Sequence, residues 1–259
     1  MKQYFVFLKK ECVESWRNYK WIWMPLVFVL LGLIQPVTSY YMPKIIKAGG
    51  NLPEGAVIKI PTPSASEVLF GTIVQQFNMI GILIVVLAFM ASIPGEKKNG
   101  NASLILVKHV SFTAYILAKW TSAILIVWVS YFLGMLANWY YTYQLFGEVG
   151  IGWVLKGFFV YGIWLTFVVT LVYFFGCFVK SSGLNAFLTL ATTIILTTGA
   201  SFLTDKLLWL PSHLTKYTGD LLQTKAYPDG IYSASIITIL LIALLLAVGV
   251  AIFKRKELV

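Results

Sequence analysis

Two histidines, two cysteines and ten carboxylates are the side chains of this 259-residue chain best suited to acid–base, nucleophilic or metal chemistry. They are scattered. His109 and His213 stand alone between apolar runs, Cys12 lies near the start, and Cys177 sits inside an apolar run. No grouping of His, Glu and Asp has the spacing of a general base or a metal site, which disfavours an intramembrane protease, a phosphatase or a metal carrier. No Gly-x-x-x-x-Gly-Lys-Ser/Thr sequence occurs, so the chain offers no P-loop to cradle phosphates. No catalytic residue, metal or cofactor of its own is expected, and the chain is not expected to be an enzyme by itself.

What remains is uncharged. Gln75, Gln76 and Asn78 cluster in one apolar run, and Gln75 and Asn78, three residues apart, fall on one face of an α-helix. Amides turned to lipid are costly, so these residues are candidates for a substrate pathway. Thr189, Thr193, Thr197 and Ser201 recur every four residues in another run. Such a hydroxyl face either packs helix on helix or lines a cavity. Thr193 and Thr197 join the candidate pathway on the second reading.

The framework that must position these groups is a membrane one. The chain is 59% hydrophobic and 12% charged, with a mean hydropathy of +0.81. Soluble domains are typically about 45–50% apolar and about 25% charged. Crossing the hydrocarbon of a bilayer takes roughly 20 helical residues. Six runs qualify: Trp21–Tyr41, Thr72–Ile93, Trp120–Tyr141, Gly157–Phe178, Asn185–Thr204 and Tyr232–Phe253. Backbone amides find no water in lipid, so the runs must be helices. The expected fold is all-α, a single integral membrane domain over residues 1–259 with aromatic belts at the run ends, including Trp21, Tyr40, Trp139 and Tyr232. No ionisable group is expected well inside a span, and Gly32 with Gln35 and Pro36 predicts a kink in the first.

Six spans put both termini on one side. That side carries 13 Lys and Arg against four acids, the other seven against six. By the positive-inside rule both termini are cytoplasmic, so the net charge of +10 belongs to a membrane face rather than to nucleic-acid binding. No cleavable signal peptide is expected, and the basic inner face fits a bacterial plasma membrane.

Three connecting regions are informative. Residues 1–20 read as an amphipathic helix lying in the headgroup plane, with Tyr4, Leu8, Cys12 and Trp16 at four-residue intervals. Residues 42–71, with Pro43, Pro53, Pro61 and Pro63, predict an extended outer loop. Residues 205–231 predict short outer helices around Pro211, interfacial or re-entrant. The connection from Pro94 to Lys119 is too apolar for a solvated loop, and its Leu104-Ile105-Leu106-Val107 run predicts a short helix at the cytoplasmic face.

That connection carries a resemblance. Glu96 and Gly100, then Leu104 and Leu106, then Val110, Ser111 and Lys119 resemble the ABC-2 type permeases of ABC transporters. Lys10, Glu11 and Arg17 near the start and the tail FKRKEL are similar to that family as well. Asn101, His109 and Phe112 stand where the family usually has Thr, Pro and Arg. The resemblance spans the chain in topology and is sharp over residues 94–119. It implies a coupling helix between spans two and three, with Glu96, Gly100, Leu104, Leu106, Lys108 and Ser111 as the ATPase-coupling residues. It also implies separate cytoplasmic ATPase subunits that bind ATP and Mg, and a second permease copy or related permease. Its activity would be export of an amphipathic or hydrophobic substrate, such as a peptide, lipid-like molecule or drug. The alternative is a non-transporting anchor or sensor that recruits a soluble partner.

Overall fold

A computed structural model describes residues 2–49, 63–98, 111–202 and 207–257. Among them are six helices long and apolar enough to cross a membrane. Helix α1 (Lys2–Arg17) precedes the first span, α2 (Lys20–Gly49). Span two is composite: α3 (Ala65–Gly71), a π-helix (Thr72–Gly81) and α4 (Ile82–Phe89), followed by the single turn α5 (Pro94–Lys98). Spans three, four and five are α6 (Phe112–Phe146), α7 (Ile151–Phe178) and α8 (Ser182–Phe202). A short α9 (His213–Thr224) precedes span six, α10 (Ile231–Glu257). Six crossings leave α1 and the end of α10 at the same end of the bundle, called here the near end.

The helices outrun the hydropathic runs. Residues 42–49 and 65–71, expected in an outer loop, are helical. Ser64 starts α3 with a capping box: its hydroxyl accepts from the Glu67 N–H, and the Glu67 carboxylate accepts from the Ser64 N–H at 2.7 Å. Ser111 caps α6 the same way by accepting from the Ala114 N–H, so span three begins well before Trp120. The expected pair of outer helices is a single helix among the described residues, and it is buried rather than interfacial: Leu214, Tyr217, Thr218, Leu221 and Leu222 are all enclosed. Span one runs as one helix through Pro25, Pro36 and Pro43.

Span four is the axis of the bundle, with 67% of its most apolar window buried against 22% for span six. Around it runs a chain of aromatic rings. Phe28 stacks on Phe77 at 5.6 Å, Phe77 meets Tyr131 edge-on at 5.5 Å, and Tyr131 stacks on Phe158 at 4.8 Å. Rings in such offset and edge arrangements add to plain area burial, and here they join four spans. Spans one and three cross at glycine. A Cβ on Gly32 would lie 2.2 Å from the Gly134 carbonyl oxygen, and one on Gly134 would lie 2.6 Å from that of Phe28. Gly32 therefore serves backbone contact between helices, the usual role of small residues in membrane bundles.

Indole N–H groups tie spans three and four further. Trp120 donates to Thr170 and Trp128 to Thr166, both at 3.0 Å, linking span three to span four. Asn138, fully buried in span three, accepts from the Thr72 hydroxyl at 2.9 Å and so holds the start of the π-helix.

Candidate functional site

The near end holds a buried charge cluster. Lys119 lies well inside α6 and is only 2% exposed. Its ammonium donates to Glu11 of α1 and to Glu96 of α5, each at 2.8 Å. The sequence places Lys119 just before span three; because α6 starts at Phe112, it lies instead in the second turn of that helix. Glu96 also accepts from the Tyr115 hydroxyl, and Lys10 approaches Glu96 at 3.4 Å and Glu11 at 3.6 Å. Burial pulls the Lys10 pKa down, but the carboxylates of Glu96, Glu11 and Glu14 outweigh it and leave it above its ordinary value. Glu11, Glu14 and Glu96 bring carboxylate oxygens within 4.8 Å of one another, the spacing of a metal site. The Lys119 and Lys10 ammonium groups already bond this cluster, so it is built as an ion-pair network.

This network stitches three elements together. Besides Glu11–Lys119, α1 reaches α6 through Tyr4, whose hydroxyl donates to Thr121 at 3.0 Å, and through Gln3, which accepts from the Ser111 N–H at 3.3 Å. The four-residue stripe expected to face lipid is split. Tyr4, Leu8 and Cys12 are half-buried and Glu11 and Ser15 are buried, while Phe5, Val6, Val13 and Trp16 point outward. An inward carboxylate and outward apolar side chains suit a helix lodged against the bundle, with lipid on its other side. Lys97 extends the stitching: its ammonium donates to the Cys177 carbonyl at 2.8 Å and lies over the Phe253 ring. Between α1 and spans two, three and four lies a polar cavity of about 510 Å³, with Glu14, Ser92, Glu96 and Tyr173 in its wall.

Of the residues assigned to coupling, Glu96 is in this cluster and Ser111 caps the adjoining helix. Gly100, Leu104, Leu106 and Lys108 lie outside the described residues. Glu11 and Tyr115 were not singled out as site residues by sequence. The signal that could find them is the apolar context of Lys119, since a buried ammonium needs an acidic partner.

At the far end, spans two and five meet α9 around a cavity of about 240 Å³ that takes in Asn78, Thr197, Ser212, His213 and Lys216. Asn78 and Thr197 are thus brought together as the candidate pathway requires. Asn78 accepts from the Trp164 indole at 2.9 Å. Gln75 does not join them. It is exposed, because the wider π winding takes it off the Asn78 face that an α-helical period predicted. Gln76 is half-buried, with its carbonyl oxygen buried and unpartnered. Thr193 is buried and donates to the Thr189 carbonyl at 2.8 Å, and Thr197 donates to the Thr193 carbonyl at 3.0 Å. Hydroxyls bonded to their own helix need no cavity, so the Thr189–Thr193 part of the face packs.

His213, read from sequence as a lone loop residue, opens α9 and is 2% exposed. Burial, reinforced by the Lys216 charge, holds its imidazole below the ordinary value of 6.5.

Residues 54–259 match a family described as Protein of unknown function (DUF2705). Over 257 residues the chain is 33% identical to a Bacillus subtilis (strain 168) protein named Uncharacterized transmembrane protein YxlG, with 99% of each chain covered. Six long apolar helices and these two matches agree, and the chain is a membrane-spanning protein that belongs to the DUF2705 family.

Proposed function

We propose that this chain is the permease subunit of an ABC transporter of the ABC-2 type. It would work as a dimer, with itself or with a related permease, and draw on separate ATPase subunits that bind ATP and Mg. In this reading the near end and both termini are cytoplasmic in a bacterial plasma membrane, which accords with the basic side of the sequence and the Bacillus relative. The apolar outer side of α1 would sit among headgroups, and α9 would face outward. The chain itself would carry out no chemistry.

The observation that supports this reading best is the place of Glu96. It opens the connection that resembles a coupling helix, and it is ion-paired to Lys119 of span three, which also holds Glu11 of α1. A push on that connection by an ATPase would reach α1 and span three through direct charge contacts. The far-end cavity sets Phe70, Val74 and Ala200 beside uncharged polar groups and the ammonium of Lys216, a mixed wall that supports an amphipathic cargo.

Purification of the tagged protein from its native cell in mild detergent, followed by mass spectrometry, tests the proposal. A stoichiometric ATPase carrying Walker motifs is expected, and Leu104→Asp should release it while the chain still inserts. Recovery of the chain alone, or with a partner that is not an ATPase, would put the anchor or sensor reading in its place. Retention of the ATPase by Leu104→Asp would remove the coupling helix from residues 100–108.

A further inference from the structure

The far-end cavity has the features of a built binding site. His213 is almost wholly buried, and its Nε2 lies 3.2 Å from the Ala200 carbonyl oxygen. A carbonyl only accepts, so Nε2 carries the proton and Nδ1 presents a lone pair. Among the described residues that Nδ1 has no partner, and neither does the hydroxyl of Thr215, a residue that is 9% exposed and also lines the cavity. Buried polar atoms are rarely left so, and two of them, two residues apart at the start of α9 and both in the cavity wall, call for an occupant.

The remaining lining narrows its chemistry. The Asn78 carbonyl is taken by Trp164, which turns the amide N–H₂ into the donor on offer. The Ser212 hydroxyl spends its proton on the Leu196 carbonyl at 2.8 Å. Among the described residues the wall carries one ammonium, Lys216, and no carboxylate. Cation and donors at Lys216, Asn78 and Thr215 favour an anionic oxygen. The His213 lone pair requires a donor on the same molecule and would repel a bare anion. The 240 Å³ of the cavity is several times the roughly 30 Å³ that a liquid water occupies.

We propose that this cavity binds a small hydroxylated anion of the glycerophosphate type. Its anionic oxygens face Lys216, Asn78 and Thr215, and its hydroxyl donates to His213 Nδ1. The source is either a free phosphate ester or the headgroup of an anionic lipid such as phosphatidylglycerol. The site needs no ATPase and stands independently of transport.

The test uses the full chain, delipidated in a neutral maltoside detergent. It is titrated with sn-glycerol 3-phosphate, with phosphatidylglycerol in mixed micelles, and with inorganic phosphate, glycerol and phosphatidylcholine as comparators. Binding is read by native mass spectrometry and by the shift in unfolding temperature. Binding of glycerol 3-phosphate identifies a soluble ligand, and binding of phosphatidylglycerol alone identifies a lipid; either supports the site. Loss of one charged or hydrogen-bonding partner in Lys216→Gln or Thr215→Val should weaken binding by about tenfold or more. Lys216 is exposed, so that variant should unfold at the wild-type temperature without ligand. Binding of inorganic phosphate or glycerol as tightly as the combined molecule overturns the proposal. So does binding unchanged in both variants, or no adduct at all, which would leave the cavity to water.

Discussion

Replacing Lys119 by methionine removes one ammonium and leaves two carboxylates facing each other. In the native cluster Lys119 lies 2.8 Å from both Glu11 and Glu96, whose side chains are only 10% and 14% exposed. Removing one partner of a buried ion pair costs about 3–5 kcal/mol, because the survivors stay charged and dry. Lys10 stands 3.6 and 3.4 Å from the same oxygens and is 44% exposed, so it can swing in and offset part of the loss. The expected cost therefore sits at the lower bound, about 3 kcal/mol. For a chain of this size that lowers the unfolding temperature by roughly 6–12 °C. The assay is thermal unfolding in maltoside micelles, followed by tryptophan fluorescence. The variant Glu11→Gln/Glu96→Gln/Lys119→Met removes every uncompensated charge and should recover more than half of the loss. A Lys119→Met protein within about 1 kcal/mol of wild type would refute the reasoning. So would a triple variant no more stable than the single one.

Two further outcomes are expected. Gly134→Val places a methyl-bearing Cβ 2.6 Å from the Phe28 carbonyl and should lower stability by about 1–3 kcal/mol or more, whereas Gly199→Ala, with nothing within 4 Å, should be neutral or slightly stabilising; equal unfolding temperatures for the two variants would contradict the helix crossing. The His213 imidazole is depressed in the folded state, so folding favours its neutral form. Its contribution is present in full above the unfolded value of about 6.5 and is lost as pH falls through the lower folded one. An unfolding temperature measured from pH 7.5 down to pH 5 should fall more steeply for wild type than for His213→Gln, and parallel curves would show that the ring is not held neutral.

The sequence was most informative where one physical quantity dominates. Hydropathy located all six spans, because lipid demands an unbroken apolar helix. It missed their ends, where helices run on beneath other protein. The first turns of α6 carry Tyr115 and Lys119 under α1, and their polar groups lower the local hydropathy without ending the helix. Polarity alone marked Asn78 and Thr197 as candidates, but not that both line one cavity. The exposure of Gln75 was not, since nothing in TIVQQFNMIG announces a π-helix. Glu11 stood out in the sequence only as part of a resemblance beside Lys10, and the position of Lys119 in space is what gives it a partner.

The spacing of the near-end cluster along the chain also dictates an order of assembly. Lys119 lies 23 residues beyond Glu96 but 108 residues beyond Glu11. During synthesis α1 emerges well before Lys119, with a carboxylate on its inward side and its partner not yet made. When the base of span three appears, Glu96 is the closer partner in sequence, so spans two and three can enter lipid as a hairpin with Lys119 already paired. Only then is there a docking place for Glu11. Helix α1 thus waits for a seat made by residues that follow it in the chain, and its docking at Glu11 depends on the hairpin that carries Lys119.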